Sequence, residues 1–405
     1  MWVRIVTAVG AIAIAGGAAW WLWLGPGTDP PIGACVDAER PDARGGPAIF
    51  EPVVSWQHAE LPALATDDDE QIMLGATAFD HGWVASGRSS SGPDSHGFIV
   101  SSLDGIDWRA EPADAARFAG AEISLLVERE RSIVAVGSVS DGSGHGGIGA
   151  WVSAFGLDWR DASGPFDRSW PTALGVRDPS LLLVGQAASG DRPLAWTSNG
   201  GDHWERVDLQ LPVAPEFARI GAVRSAGDTW LGVGDLSRGV DRPAWPVAWA
   251  SADGATWTCL LLDRAGFDVA TPTALHRSAQ GWLAVGIAGD ACGFGGSCPG
   301  YTVAWTSPDG VRWSDGMTNV EPFHVGGIAI AGSAEGFVAV GHGTTWWSAD
   351  GNAWVELDDG GAGAGALVGE PDALVMTDDG RLLAVGTVYE GDDADAWAAV
   401  GNLSR

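Results

Sequence analysis

Carboxylates, histidines and a few arginines fall in the segments that separate short apolar runs, and three kinds of chemistry could follow. Asp94, Asp141, Asp191, Asp235, Asp241, Asp290 and Glu390 could supply two acids flanking a glycosidic bond. Such pairs also arise by accident on any strongly acidic surface, so solvated loops are the weightier reading. Dense runs are a different signal. Asp67, Asp68 and Asp69 lead into the first apolar repeat, and Glu390, Asp392, Asp393 and Asp395 lie in the last. Clustered oxygen ligands suit a hard cation, so calcium is the candidate metal, although the spacing matches no dedicated calcium loop. His96, His145 and His342 would serve zinc if they converged, but they come from separate Gly-rich stretches. Arg88, Arg238, Arg242, Tyr301 and Tyr389 complete the candidates for ligand contact. No phosphate-cradling loop, nucleophile elbow or metalloprotease helix occurs, and no organic cofactor is expected.

The elements that must position these residues repeat. An apolar segment ending in Gly recurs at Gly87, Gly137, Gly185, Gly234, Gly286, Gly341 and Gly386. After each copy comes a second segment with Trp at a fixed position (Trp151, Trp196, Trp249, Trp305, Trp346, Trp397), Val100 standing in for the first. That segment runs into a turn and another Trp. Four turns share one pattern: Ser102, Asp104, Gly105, Trp108; Ser251, Asp253, Gly254, Trp257; Ser307, Asp309, Gly310, Trp313; and Ser348, Asp350, Gly351, Trp354. Degenerate versions end at Trp159 and Trp204. Four short strands at a period near fifty residues is the size of one propeller blade, so the expectation is an all-β, seven-bladed β-propeller over residues 53–405. The last repeat stops short after Trp397, while Ser55 to His58 align with the segment that follows each turn. Residues near 53–61 are therefore expected to supply the missing outer strand and close the ring.

The turn resembles the Asp-box, or sialidase-type, repeat of propellers, shortened by about one residue between Ser and the final Trp. In that family the box is structural and peripheral, which implies the same role here and a non-catalytic member. Sialidases of the family use three Arg for a substrate carboxylate, a Tyr nucleophile with a Glu partner, and an acidic acid/base residue. The Arg-Ile-Pro-like motif that marks the first Arg is missing from this chain. The resemblance implies that loops joining second to third strands, with the links between blades, form the binding face.

Composition narrows the partners. The formal charge is -30, from 52 acidic residues against 22 basic ones that are all Arg, so nucleic acid is excluded as a partner. Residues 5–24 form an almost unbroken apolar run, long enough as a helix to cross a bilayer. Arg4 precedes the run and Trp20, Trp21 and Trp23 cluster at its far end, which fits an uncleaved signal anchor with its N-terminus in the cytoplasm. A cleavable signal is the rival, since Ala13 and Ala15 form an A-x-A-like pattern. Residues 25–52 read as a Pro/Gly-rich extracytoplasmic linker. Four Cys fit an oxidising compartment: Cys292 and Cys298 are expected to close a local loop, leaving Cys35 and Cys259, whose pairing the spacing leaves open. The functional expectation is a propeller at the outer side of the cytoplasmic membrane that binds a protein or glycan as a scaffold. The alternative is a carbohydrate-active glycoside hydrolase using loop carboxylates.

Overall fold

The computed structural model describes residues 34–41, 52–62, 70–79, 82–91, 94–110, 117–140, 146–166, 168–188, 192–214, 218–237, 244–289, 300–318, 322–323, 328–358, 367, 369–390 and 393–404. The apolar run at 1–24, most of 25–52 and the pair Cys292 and Cys298 lie outside them. Among the described residues no helix is long and apolar enough to cross a membrane.

The chain is all-β: five four-stranded sheets and one eight-stranded sheet. The larger sheet consists of two antiparallel ladders, of four and three strands, joined at one parallel pair, Ala244 with Val269, and of the short strand Val36–Asp37 added in parallel at one edge. Within each ladder the second strand is the most apolar. Ser180–Ala187 (SLLLVGQA) is buried along almost its whole length because both of its faces meet neighbouring sheets. The innermost strands are Glu70–Phe79, Ala121–Arg129, Ser169–Arg177, Ala218–Ala226, Val269–Ser278, Ala329–Ser333 and Glu370–Met376. Each neighbours the next, and the last neighbours the first, so they form a circuit around a central channel.

The core is a set of apolar layers shared between adjacent ladders. One such layer joins Met73, Trp83 and Val100 to Leu383, Val385 and Ala398, sealing the first repeat against the last. The strand Val53–Ala59 pairs antiparallel with Asp393–Ser404, from Val53 opposite Ser404 to Ala59 opposite Ala398. Trp56 Nε1 then donates to Thr345 Oγ1 of the neighbouring ladder at 2.9 Å.

The recurring Gly has a steric cause. Six inner strands carry a one-residue bulge, for example between Ile220 and Ala222 and between Pro272 and Ala274. Each bulge presses a carbonyl onto the second strand: a Cβ on Gly234 would lie 2.1 Å from the Arg219 oxygen, and one on Gly286 2.0 Å from the Thr271 oxygen. Only glycine leaves room for the bulge.

The Ser-x-Asp-Gly turns use their polar atoms internally. In one, Ser307 Oγ accepts from the Gly310 N–H at 2.7 Å, Asp309 Oδ1 accepts from Val311 and Arg312 at 2.9 Å each, and Trp313 Nε1 donates to the Gly310 carbonyl at 3.1 Å. Backbone N–H groups hold the Asp104 and Asp253 carboxyls below the usual range. These turns lie on what we call the lower face. The ends of the second strands define the upper face.

A strap crosses the outside of the ring. Val36–Asp37 pairs parallel with Leu260 and Leu261, after which Glu39 accepts from the Trp313 N–H at 2.8 Å. Arg40 reaches Asp315 at 2.9 Å, and Cys35 is disulfide-bonded to Cys259. The strap lies within the segment that reads as linker, and it fastens two neighbouring ladders together.

Candidate ligand channel and upper face

The residues expected to contact ligand are dispersed. Arg88 sits in the strand Gly82–Ser91 and pairs with Glu122 of the next ladder, Nε to Oε2 3.4 Å. Burial raises the Glu122 carboxyl, and Arg88 opposes that shift. Asp94 begins the strand Asp94–Ser102 and His96 is exposed within it, so both belong to an extended hairpin rather than a loop. Tyr389 is likewise in a strand, Arg381–Glu390, and is 39% exposed. His342 and Gly343 form a two-residue hairpin with φ of 51° and 76°. Tyr301 opens the strand Tyr301–Ser307, 45% exposed and stacked on Phe267 with ring centroids 5.2 Å apart. Asp141, His145, Arg238 and Arg242 lie outside the described residues.

Of the acidic runs, Asp67, Asp68, Asp69 and Asp392 also lie outside them. Glu390 pairs with Asp393 across a hairpin, and Asp393 and Asp395 are exposed. No group of three metal-ligating side chains converges among the described residues.

What the fold does bring together is the channel. A cavity of about 200 Å³ is lined by the inner strands, whose apolar side chains (Leu74, Leu125, Leu174, Val223, Leu275 and Ile330 among others) share its wall with polar backbone and side-chain atoms. Three ionisable residues interrupt that wall. Asp372 is the bulged residue of its strand, toward the upper face. Arg224 and His276 each lie three residues beyond the bulge, on adjacent strands, toward the lower face.

Burial pushes the Asp372 carboxyl up to about 7, against the Thr387 hydroxyl that donates to it at 2.8 Å and with the Glu370 charge adding to the rise. Burial also depresses His276 to about 3, and the nearby Arg224 charge adds to the effect, so the imidazole is neutral at pH 7. Arg224 also lines the channel, and its side chain is exposed there, so it keeps its charge.

None of these three was a sequence candidate. The available signal was positional. Three residues beyond the bulge the sister strands carry Thr77, Val127, Gly175 and Val375, so Arg224 and His276 depart from a small or apolar pattern.

Among the described residues of the upper face Arg88 is paired with Glu122 and Arg219 with Asp235, while Asp393 and Asp395 are exposed. Arg219 donates twice to Asp235, at 2.8 Å from Nε and 2.6 Å from Nη2, and Asp235 is fully buried. Left open there are Trp170, Ile287, Tyr301 and Tyr389, each between 39% and 45% exposed.

No protein-family model matches this chain, and no curated protein sequence does. Solved structures do match. YCF48 in complex with a peptide aligns over 91% of this chain and 100% of its own, at 10% identity and a TM-score of 0.54. The β-propeller domain of the Trilobed protease from Pyrococcus furiosus aligns over 81% of this chain and 95% of its own, at 8% identity and TM-score 0.49. The α-L-arabinofuranosidase of Fusarium graminearum, in complex with arabinobiose, aligns over 87% and 97%, at 14% identity and TM-score 0.45. The fold of the chain is a β-propeller. At such identities the likeness extends to the fold alone.

Proposed function

We propose that this chain is a seven-bladed, Asp-box-type propeller, carried at the outer side of the cytoplasmic membrane by its N-terminal apolar segment, that binds a protein or glycan partner without turning it over. The observation that carries the reading is the upper face. There Arg88 is paired with Glu122 and Arg219 with Asp235, while Trp170, Tyr301 and Tyr389 stay open to solvent. Exposed aromatic rings beside paired charges suit stacking and edge contacts to a sugar or an extended peptide. A glycan array and a pull-down from envelope extracts, each run with the wild type and with Trp170→Ala/Tyr301→Ala, test this. Capture lost in the double variant supports the reading. Capture that the double variant retains in full ends it. Calcium remains part of the proposal through Asp393, Asp395 and their sequence neighbours, and an unchanged Tm after chelation removes it.

A second reading has one observation in its favour. Asp372, which lines the channel and has its carboxyl raised to about 7, neighbours Glu370 on the same strand, and a raised carboxyl is what a glycoside hydrolase uses as its general acid. Two acids on one strand approach a sugar from one side, whereas hydrolysis needs them to flank the bond. Release of reducing ends from an envelope polysaccharide, lost in Asp372→Asn, would replace the binding reading with this one.

A further inference from the structure

We propose that the lower part of the central channel is a binding site for a small organic monocarboxylate, held by Arg224 and His276 with its apolar body against the leucine-rich wall. The site is independent of the upper-face reading and lies at the other end of the channel.

Arg224 is the first observation. A guanidinium offers five N–H donors in a planar fork. The described hydrogen bond of this one is Nη1 to the Val223 carbonyl, at 3.0 Å on its own strand. Several other described arginines meet carboxylates, among them Arg40 with Asp315, Arg88 with Glu122, Arg219 with Asp235, Arg312 with Asp309 and Arg381 with Asp379, whereas Arg177 donates to backbone carbonyls and lies over Trp230. In a chain with 52 acidic residues, none is set against Arg224 among the described ion pairs. An open guanidinium at a cavity wall is a ready partner for an anion.

Thr273 is the second. It lies on the strand of His276, lines the same cavity, and its buried Oγ1 has no hydrogen-bond partner among the described residues. Gly221, opposite, lets the two strands approach closely: a Cβ there would lie 3.2 Å from the Pro272 oxygen and 3.5 Å from the Thr273 Cα.

Charge and volume then select the ligand. His276 is neutral at pH 7, so it contributes a hydrogen bond and Arg224 contributes the single positive charge. The other ionisable group lining the same cavity is Asp372, toward the other mouth, with the Glu370 charge near it. One cation matches a monoanion. A phosphate dianion would bring an unbalanced charge into a channel that already has carboxyls at its entrance. The cavity of about 200 Å³ equals six or seven waters at about 30 Å³ each, enough for a carboxylate with a body of several carbons. Its apolar side chains favour such a body over a bare inorganic ion.

The test is calorimetric titration of the full-length protein with sodium butyrate, sodium benzoate and inorganic phosphate, with histidine NMR in parallel. The expected result is saturable 1:1 binding of butyrate or benzoate, weakened more than tenfold in Arg224→Met and severalfold in Arg224→Lys, which keeps the charge but loses the fork. Trp170→Ala should bind butyrate as the wild type does, which separates this site from the upper face. Bound carboxylate should also raise the His276 titration midpoint. If the Met variant does not fold, the Lys variant and the His276 midpoint decide. Butyrate and benzoate that fail to saturate, binding unchanged by both Arg224 variants, or phosphate binding more tightly than either would each overturn the proposal.

Discussion

Replacing Asp372 by Asn should stabilise the protein at pH 8 and leave it nearly unchanged at pH 4. The carboxyl titrates near 3.8 when unfolded and near 7 when folded, so between those values the folded state holds a proton that the unfolded state has released. Stability is therefore full below about pH 4 and falls as pH rises toward 7. A rise of about three pH units at about 1.4 kcal/mol each sets an upper value of about 4 kcal/mol. Water in the channel reduces it, so about 2 to 4 kcal/mol is expected. Asn keeps the shape and leaves an oxygen for the Thr387 hydroxyl, but it carries no charge to desolvate. The assay is urea unfolding of both proteins at pH 4, 6 and 8. Carboxyls not coupled to it contribute alike in both, so the difference between the two curves reports Asp372 together with its interaction with Glu370. Wild type and variant curves that run parallel from pH 4 to 8 would refute the reasoning.

Arg219→Met should cost about 3 kcal/mol in urea unfolding at pH 7, because it strands the buried Asp235 carboxylate. Ser307→Ala removes the acceptor for the Gly310 and Asp309 N–H groups and should cost about 1 kcal/mol by the same assay. Cys35→Ser opens a link across 224 residues of sequence and should lower stability by about 3 to 5 kcal/mol; a reducing agent should lower the Tm of the wild type toward that of the variant.

The repeat made the β-propeller legible in the sequence. An apolar segment ending in Gly, a Trp strand and a Ser-x-Asp-Gly turn recur in constant register, and every element of that unit is local. The strand at Val53–Ala59 could be placed because the last repeat lacked a piece that the first residues of the array resembled. The strap was not legible: a two-residue parallel pairing between Val36–Asp37 and Leu260–Leu261 has no local pattern. Hairpin lengths were missed as well. Arg88, His96 and Tyr389 look like loop residues because polar side chains interrupt the apolar alternation, yet backbone pairing continues through them to the hairpin tips. The channel was hidden for a further reason. Whether Arg224 faces the lumen depends on a one-residue bulge upstream, and a bulge shifts the side-chain alternation without a fixed residue type to announce it.

The strap also decides how the ring carries load. Traction on the chain upstream of Cys35 passes through the sulfur bridge into the strand Thr258–Leu261, which is anchored in the eight-stranded sheet. The pull then does not reach the strand Val53–Ala59. Without the bridge, once the strap's hydrogen bonds gave way, the same pull would reach the Val53 end of a seven-residue strand that joins the two termini of the array. The bridge thus acts as a strain relief, placing the point of tension on the flank of the ring and leaving the seam between first and last repeats unloaded.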